Sequence, residues 1–389
     1  MKIVIAPDSF KESLSALEVA NAIEDGFKQV FPDAQYCKVP MADGGEGTVQ
    51  AMVDATQGQI INLTVTGPLG LPVDAFYGVL GQLDEDGKQT AVIEMAAASG
   101  LHLVPVNQRN PLLTTSFGTG ELIADALNRG IRHIILGLGG SATNDAGAGM
   151  MQALGVTLSN MANEPLPFGG AALAALHHID VQSCHPAIKE CVIEVACDVD
   201  NPLCGPRGAS AIFGPQKGAT TEMIEQLDHA LGHFAHTVNQ QLYQSVDTHC
   251  QLHPGAGAAG GMGFGVMTIL NASLKPGVDI VTNSVKLAEY CHNADLVITG
   301  EGRIDGQTVF GKTPMGVLNV AKQLNIPVIG ISGCLGPNAD AILTEGMHAI
   351  FAIIPALQPL EQVLSEAQVN LTNTARNIAA MLSLSLVKK

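Results

Sequence analysis

The chain has 389 residues, more than one average core holds and enough for two domains. Hydrophobic residues make up 47%, charged residues only 14%, and glycine occurs 43 times, a composition of tight turns and close packing rather than disorder. Against 36 acidic residues there are 19 basic ones, a net charge of −17, which excludes nucleic acid and anionic membranes as partners but leaves room for a small anion met by locally placed basic groups.

In chain order, Ile3 to Ala6 reads as a short buried strand. Ser15 and Glu18 match a capping box, and Leu17, Ala20, Ile23, Phe27 and Val30 follow at helical spacing. A second strand is expected near Cys37 to Val39. A helix carrying Val49, Met52 and Val53 should start after Gly44-Gly45-Glu46-Gly47. Ile60 to Thr66, Val73 to Val79 and Thr90 to Met95 are closely spaced strand signals, which suggests antiparallel or mixed pairing. Near the end the rhythm becomes strand, loop, helix. Strands are expected at Leu296 to Ile298, Pro327 to Ile331 and Ile350 to Ile354, and a last helix at about Val369 to Leu386. The fold class predicted is α/β. A parallel-sheet domain built from both ends (residues 1–62 plus 288–389) is interrupted by a mixed α/β domain (residues 63–287). No apolar run approaches the roughly 18 residues of a spanning helix. The opening is too short for a signal peptide. The eight scattered cysteines contain no C-x-x-C and fit reduced thiols in a cytoplasmic protein.

Five segments could carry chemistry. The strongest runs from Leu136 to Gly149 and includes Gly139, Gly140, Ser141, Thr143 and Asn144. It follows an apolar run and precedes a helical pattern, so its N–H groups and the helix dipole could face an anion. It is neither G-x-G-x-x-G nor a Walker A sequence, and a tight βα connection that binds nothing is the plain alternative. The second, Thr299 to Lys312, crowds Glu301, Asp305, Arg303 and Lys312 after a strand, at the edge where open α/β sheets bind ligands. Glu301 or Asp305 could hold Mg²⁺ or accept a proton, and Arg303 or Lys312 could meet phosphate or carboxylate; a solvated loop with local ion pairs is the alternative. Asp8-Ser9-Phe10-Lys11 and Met41 to Thr48 are the third and fourth. Asp8, Asp43 and Glu46 would converge with the 299–312 loop if all sit at one sheet edge, although acidic residues at helix starts are also ordinary caps. The fifth, Cys197 to Gly205, places Asp198 at the end of a strand-like run, as metal ligand or general base, while Asp200-Asn201-Pro202 reads equally as a turn. His229, His233 and His236 share a helical face but lack a zinc signature. The stretch Gly255 to Gly263 could be a hinge, a close-packed helix start or a ligand loop.

Taken together these segments resemble the bacterial glycerate kinase family that is unrelated to other kinase superfamilies. The resemblance rests on A-P-D-S-F-K-E-S-L-S-A from Ala6, M-A-D-G-G-E-G-T from Met41, G-G-S-A-T-N-D-A-G-A-G-M from Gly139, C-D-V-D-N-P-L-C-G from Cys197, K-P-G-V-D from Lys275 and T-G-E-G-R-I-D-G-Q-T from Thr299. These blocks occur in order over essentially the whole chain. Glu12 and Ala146 stand where that family is expected to carry glycine. The resemblance implies a flavodoxin-like domain interrupted by a second α/β domain. It also implies ATP-dependent phosphorylation of D-glycerate, usually to 2-phosphoglycerate, in organic-acid catabolism.

Phosphoryl transfer needs positioning, charge and a carboxylate to orient the hydroxyl. On that basis ATP phosphates are expected on Gly139, Gly140, Ser141, Thr143 and Asn144, with Lys312 as a clamp. Glycerate is expected at Asp8, Lys11 and Arg303. Asp198 is the expected base, with Asp305 as the alternative, and Asp43, Glu46 and Glu301 are the expected Mg²⁺ shell. An oxidoreductase would show the GxGxxG fingerprint, and a non-catalytic sugar-acid sensor would not turn over ATP. Self-association into a homo-oligomer is compatible with the sequence.

Overall fold

In the computed structural model, which describes residues 1–243 and 249–386, the chain packs as two units. The first comprises Met1–Asp43, Gln50–Gly58 and Gly277–Lys389, and the second Gly44–Val49 and Gln59–Pro276.

The first unit is built on a five-stranded sheet. Across it lie Ala349–Ala352, Val328–Ser332, Leu296–Thr299, Lys2–Ile5 and Gln35–Lys38, every pair parallel. Numbered along this unit the order is 2-1-3-4-5, the flavodoxin-like arrangement. The inner strands Leu296–Thr299 and Val328–Ser332 are apolar at nearly every position and buried at every residue. Strands read this way when helices cover both faces. The helix Ala16–Lys28 starts with the predicted capping box. Ser15 Oγ accepts from the Glu18 amide at 3.3 Å, and Glu18 accepts from the Ser15 amide at 2.8 Å. Its apolar face packs into one core cluster with Leu371, Ala375 and Ile378 of Ala367–Leu386.

Lys2–Ile5 and Leu296–Thr299 are neighbours with Ile3 opposite Leu296. The chain leaves the first toward Gln35–Lys38 and the second toward Val328–Ser332, on opposite sides. This is the topological switch point, and the segments after these two strands flank the crevice where such sheets bind ligands. Gly300, at the end of the second, must be glycine, because a Cβ there would lie 1.8 Å from the Ile331 carbonyl oxygen.

The second unit has a six-stranded mixed sheet in the order Ser273–Lys275, Val192–Ala196, His133–Gly137, Gln89–Glu94, Pro72–Leu83 and Gln59–Thr66. The first four are parallel, and the last two form an antiparallel meander with a register shift between Val79 and Leu83. The second of the three closely spaced strand signals, Val73 to Val79, thus runs on past the irregularity to Leu83.

Glu12 and Ala146, the two departures from the family pattern, both have positive φ, 64° and 52°. A non-glycine residue there is strained. Glu12 is exposed, so a Glu12→Gly protein should gain about 0.5–1 kcal/mol, read as a thermal midpoint higher by about 1–3 °C. An unchanged or lower midpoint would mean the turn carries no strain.

Candidate functional site

The switch point of the first unit gathers acid groups. Asp8 follows Lys2–Ile5, and its amide donates to the Gly300 carbonyl at 2.8 Å. Its Oδ1 accepts from the Ser9 amide at 2.6 Å and its Oδ2 from the Thr313 hydroxyl at 2.7 Å. Burial, then the charge of Asp43, pushes its carboxyl up to about 6 despite those bonds. Glu301 follows Leu296–Thr299. Its side chain is 12% exposed, accepts from the Thr308 hydroxyl at 2.7 Å and lies 3.7 Å from Lys312 Nζ. Burial pushes it up to about 7. Thr308 and Lys312 oppose the rise, and Asp8 and Asp43 add to it.

Asp8 and Glu301 therefore both keep their protons to higher pH, and the charge of Asp43 adds to burial in each. Glu46 is exposed in the second unit, where its charge helps raise Glu94. Asp305 is held by Arg303 Nε at 3.2 Å, by Lys312 Nζ at 3.9 Å and by the Gln307 amide at 2.9 Å. Lys312 thus reaches two carboxylates while staying 31% exposed, and it precedes the helix Thr313–Gln323. Lys11 and Arg303 are both exposed, and the Gly302 backbone packs beside Phe10 and Lys11. Within the 299–312 loop, Arg303–Ile304 pairs with Cys334–Leu335, a two-residue ladder the sequence gave no sign of.

The acid cluster has the oxygen donors that suit Mg²⁺, and a divalent cation would relieve their mutual repulsion. Among the described residues no group of three or more His, Cys, Asp or Glu is arranged to hold a metal ion, although Mg²⁺ is commonly held by one or two carboxylates plus substrate phosphates. One or two of these carboxylates have the donor chemistry for that partial role. The sign of the pH effect follows from the raised carboxyls. The folded chain binds these protons more tightly than the unfolded chain. Stability is therefore lost as pH rises from about 4, the unfolded range, through about 6 and 7. A cation that replaces the protons should raise the thermal midpoint at about pH 8 clearly more than at about pH 5. Equal Mg²⁺ shifts at both pH values would disconnect the cluster from the metal.

In the second unit the parallel strands end side by side. Gly137 is opposite Ala196 on one side and Glu94 on the other. Gly139 and Asp198 each lie two residues beyond a paired end, so both stand at the same carboxyl edge on neighbouring strands. Gly139, Gly140 and Asp198 are exposed. Glu94 accepts from the Val49 amide at 2.9 Å, capping the helix Thr48–Thr56; burial is the main cause of its raised pKa.

From Ser141 onward the loop turns inward. Ser141, Thr143, Asn144 and Asp145 are all buried. The helix Ala148–Ala153 does not leave its start free for a ligand. Asp145 accepts there from the Gly147 and Gly149 amides at 3.2 and 3.3 Å, and from the Ser116 amide and hydroxyl at 2.9 and 2.8 Å. The helix dipole expected to face a ligand is thus met by the chain's own carboxylate. Asn144 Nδ2 donates to Ser210 Oγ at 3.0 Å. Behind the loop, the Gly255–Gly263 stretch is a close-packed buttress. Gly260 has φ +68°, its carbonyl accepts from the Ala146 amide at 3.0 Å, and a Cβ would lie 2.1 Å from the Thr143 carbonyl oxygen.

Sequence reading missed Lys217. It sits on a short turn, Pro215–Lys217, only 2% exposed. Its ammonium donates to Ser141 Oγ at 2.9 Å and to the Thr143 carbonyl at 2.6 Å. The predicted histidine face belongs to Thr221–Leu242, where His233 Nε2 meets the Leu176 carbonyl at 2.6 Å. No helix among the described residues is long and apolar enough to cross a membrane.

A flavodoxin-like sheet with carboxylates at its switch point, interrupted by a second α/β unit with a glycine-rich edge loop, defines a two-domain α/β enzyme. The chain belongs to the glycerate kinase family, whose pattern matches residues 3–383. It is 57% identical over 383 residues to the glycerate kinase of Haemophilus influenzae, covering 98% of this chain and 99% of that one. It is 54% identical over 386 residues to the glycerate 2-kinase of Escherichia coli K12, covering 99% of each. A crystal structure of a candidate glycerate kinase 2 from Salmonella typhimurium LT2 superposes with a TM-score of 0.88, at 54% identity and 99% coverage of both chains.

Proposed function

We propose that the protein transfers the γ-phosphoryl group of ATP to the 2-hydroxyl of D-glycerate, giving 2-phospho-D-glycerate and ADP in the cytoplasm. The observation that carries the reading is the end-to-end family match, with 54% identity to a glycerate 2-kinase over 99% of the chain.

In the reaction the glycerate hydroxyl oxygen attacks the γ-phosphorus. The bond to the oxygen bridging the β- and γ-phosphates breaks, and the hydroxyl proton leaves to a carboxylate. Asp198 takes that proton, with Asp305, held by Arg303 and Lys312, as the alternative. Lys312 holds a phosphate oxygen and neutralises charge that builds in transfer. Lys11 and Arg303, both exposed cations, meet the glycerate carboxylate near Asp8. Gly139 and Gly140 offer the exposed turn of the phosphate loop. One or two of the carboxylates Asp8, Asp43 and Glu301, with the phosphates, would hold Mg²⁺, which would neutralise charge on the phosphates. The test is ADP release from Mg-ATP that depends on D-glycerate. ADP release that ignores glycerate would refute the reading.

A further inference from the structure

The Gly139 to Asn144 loop is held from behind by donors. The Leu101 amide donates to the Gly140 carbonyl at 2.8 Å, the Thr114 hydroxyl to the Ala142 carbonyl at 2.9 Å, and Lys217 Nζ to the Thr143 carbonyl at 2.6 Å. Three of the loop's carbonyls, those of Gly140, Ala142 and Thr143, are therefore committed to the interior. Lys217 Nζ also donates to Ser141 Oγ, so the Ser141 hydroxyl must direct its own hydrogen elsewhere. We propose that Lys217 is a positioning residue for the nucleotide phosphates, acting through Ser141 and Thr143 to hold the loop with its donors toward the anion. This inference rests on the glycerate kinase reading of the same loop.

A purely structural lysine is a poor explanation for this place. A buried ammonium is costly unless a carboxylate pairs with it. The acid that acts on Lys217 is Asp145, and the oxygens of Asp145 are already taken by Ser116, Gly147 and Gly149. Burial accordingly pulls the amine down to about 7. An incoming phosphate supplies the missing negative charge, transmitted through the Ser141 hydroxyl. A second observation points the same way. Thr143 Oγ1 and Asn144 Oδ1 are fully buried and have no hydrogen-bond partner. A buried hydroxyl without a partner, beside an ammonium that bonds only neutral oxygens, is a donor set awaiting a charged acceptor. The Asn144 carbonyl oxygen can only accept, so it would take a ligand hydroxyl or a water.

The test titrates a non-hydrolysable ATP analogue, adenylyl imidodiphosphate, and separately D-glycerate, into wild-type protein, Lys217→Met and Ser141→Ala, with thermal midpoints recorded. Both variants should bind the analogue about tenfold or more weakly, because a charge-assisted contact chain is lost. Glycerate affinity should stay within about twofold of wild type, since a general loosening of the fold would weaken both ligands together. Folded variants that bind the analogue like wild type overturn the inference, as does a loss confined to glycerate. If Lys217→Met does not fold, Ser141→Ala decides alone, since Lys217 and the backbone are intact in it. Wild-type protein that binds the analogue but does not phosphorylate glycerate would sink the kinase reading without touching the assignment of Lys217.

Discussion

Replacing Asp198 by Asn should lower kcat by about a hundredfold to ten-thousandfold, the range expected when a positioned proton acceptor is removed. The variant keeps the shape and hydrogen-bonding reach of the side chain and loses only its basicity. Asp198 is exposed on the loop that follows Val192–Ala196, so the change leaves the core untouched. The thermal midpoint and the KM values should move little. The matched control is Asp305→Asn. That carboxylate is engaged by Arg303, Lys312 and the Gln307 amide, so its loss should act through those partners and raise KM more than it lowers kcat. Near-normal turnover in Asp198→Asn, with a collapse in Asp305→Asn, would exchange the two roles.

Replacing Lys312 by Met should lower kcat/KM for ATP by about 10²–10³-fold, the usual cost of one donor aimed at developing charge. The side chain is 31% exposed and precedes the helix Thr313–Gln323 rather than filling a core, so the protein should fold. The same change removes the cation that restrains Glu301. The Glu301 carboxyl should then rise above about 7, and the pH at which activity appears should move upward with it. Loss of activity with no change in the pH profile would show that Lys312 touches the phosphates but leaves the acid cluster alone.

The strands and the chemistry-bearing loops were legible where local physics decides them. Leu296–Thr299 and Val328–Ser332 are apolar at nearly every position and buried at all of them. The Ser15 and Glu18 capping box is a contact between residues three apart. Asp8 and Glu301 follow buried strands, while the pairing of those two strands at the switch point is set by the fold. What stayed hidden depends on neighbours far along the chain. Lys217 lies in Pro-Gln-Lys-Gly, a turn that reads like any solvated lysine, and only the fold places it against Ser141, 76 residues earlier. Asp145 sits inside a motif that looked like a ligand loop, yet its role is to cap the following helix. The Gly255–Gly263 stretch could not be read because a glycine forced by positive φ and one forced by a close carbonyl look alike in sequence; Gly260 is both. Asp43 and Glu46 share the segment Met41 to Thr48, and the chain passes from one unit to the other between them.

The most direct test of the central claim is phosphorus NMR of the product formed from Mg-ATP and D-glycerate. The account predicts the resonance of 2-phosphoglycerate, appearing as ADP accumulates. A 3-phosphoglycerate resonance would contradict the assigned hydroxyl while leaving a glycerate kinase, and no new phosphoester would contradict the account as a whole.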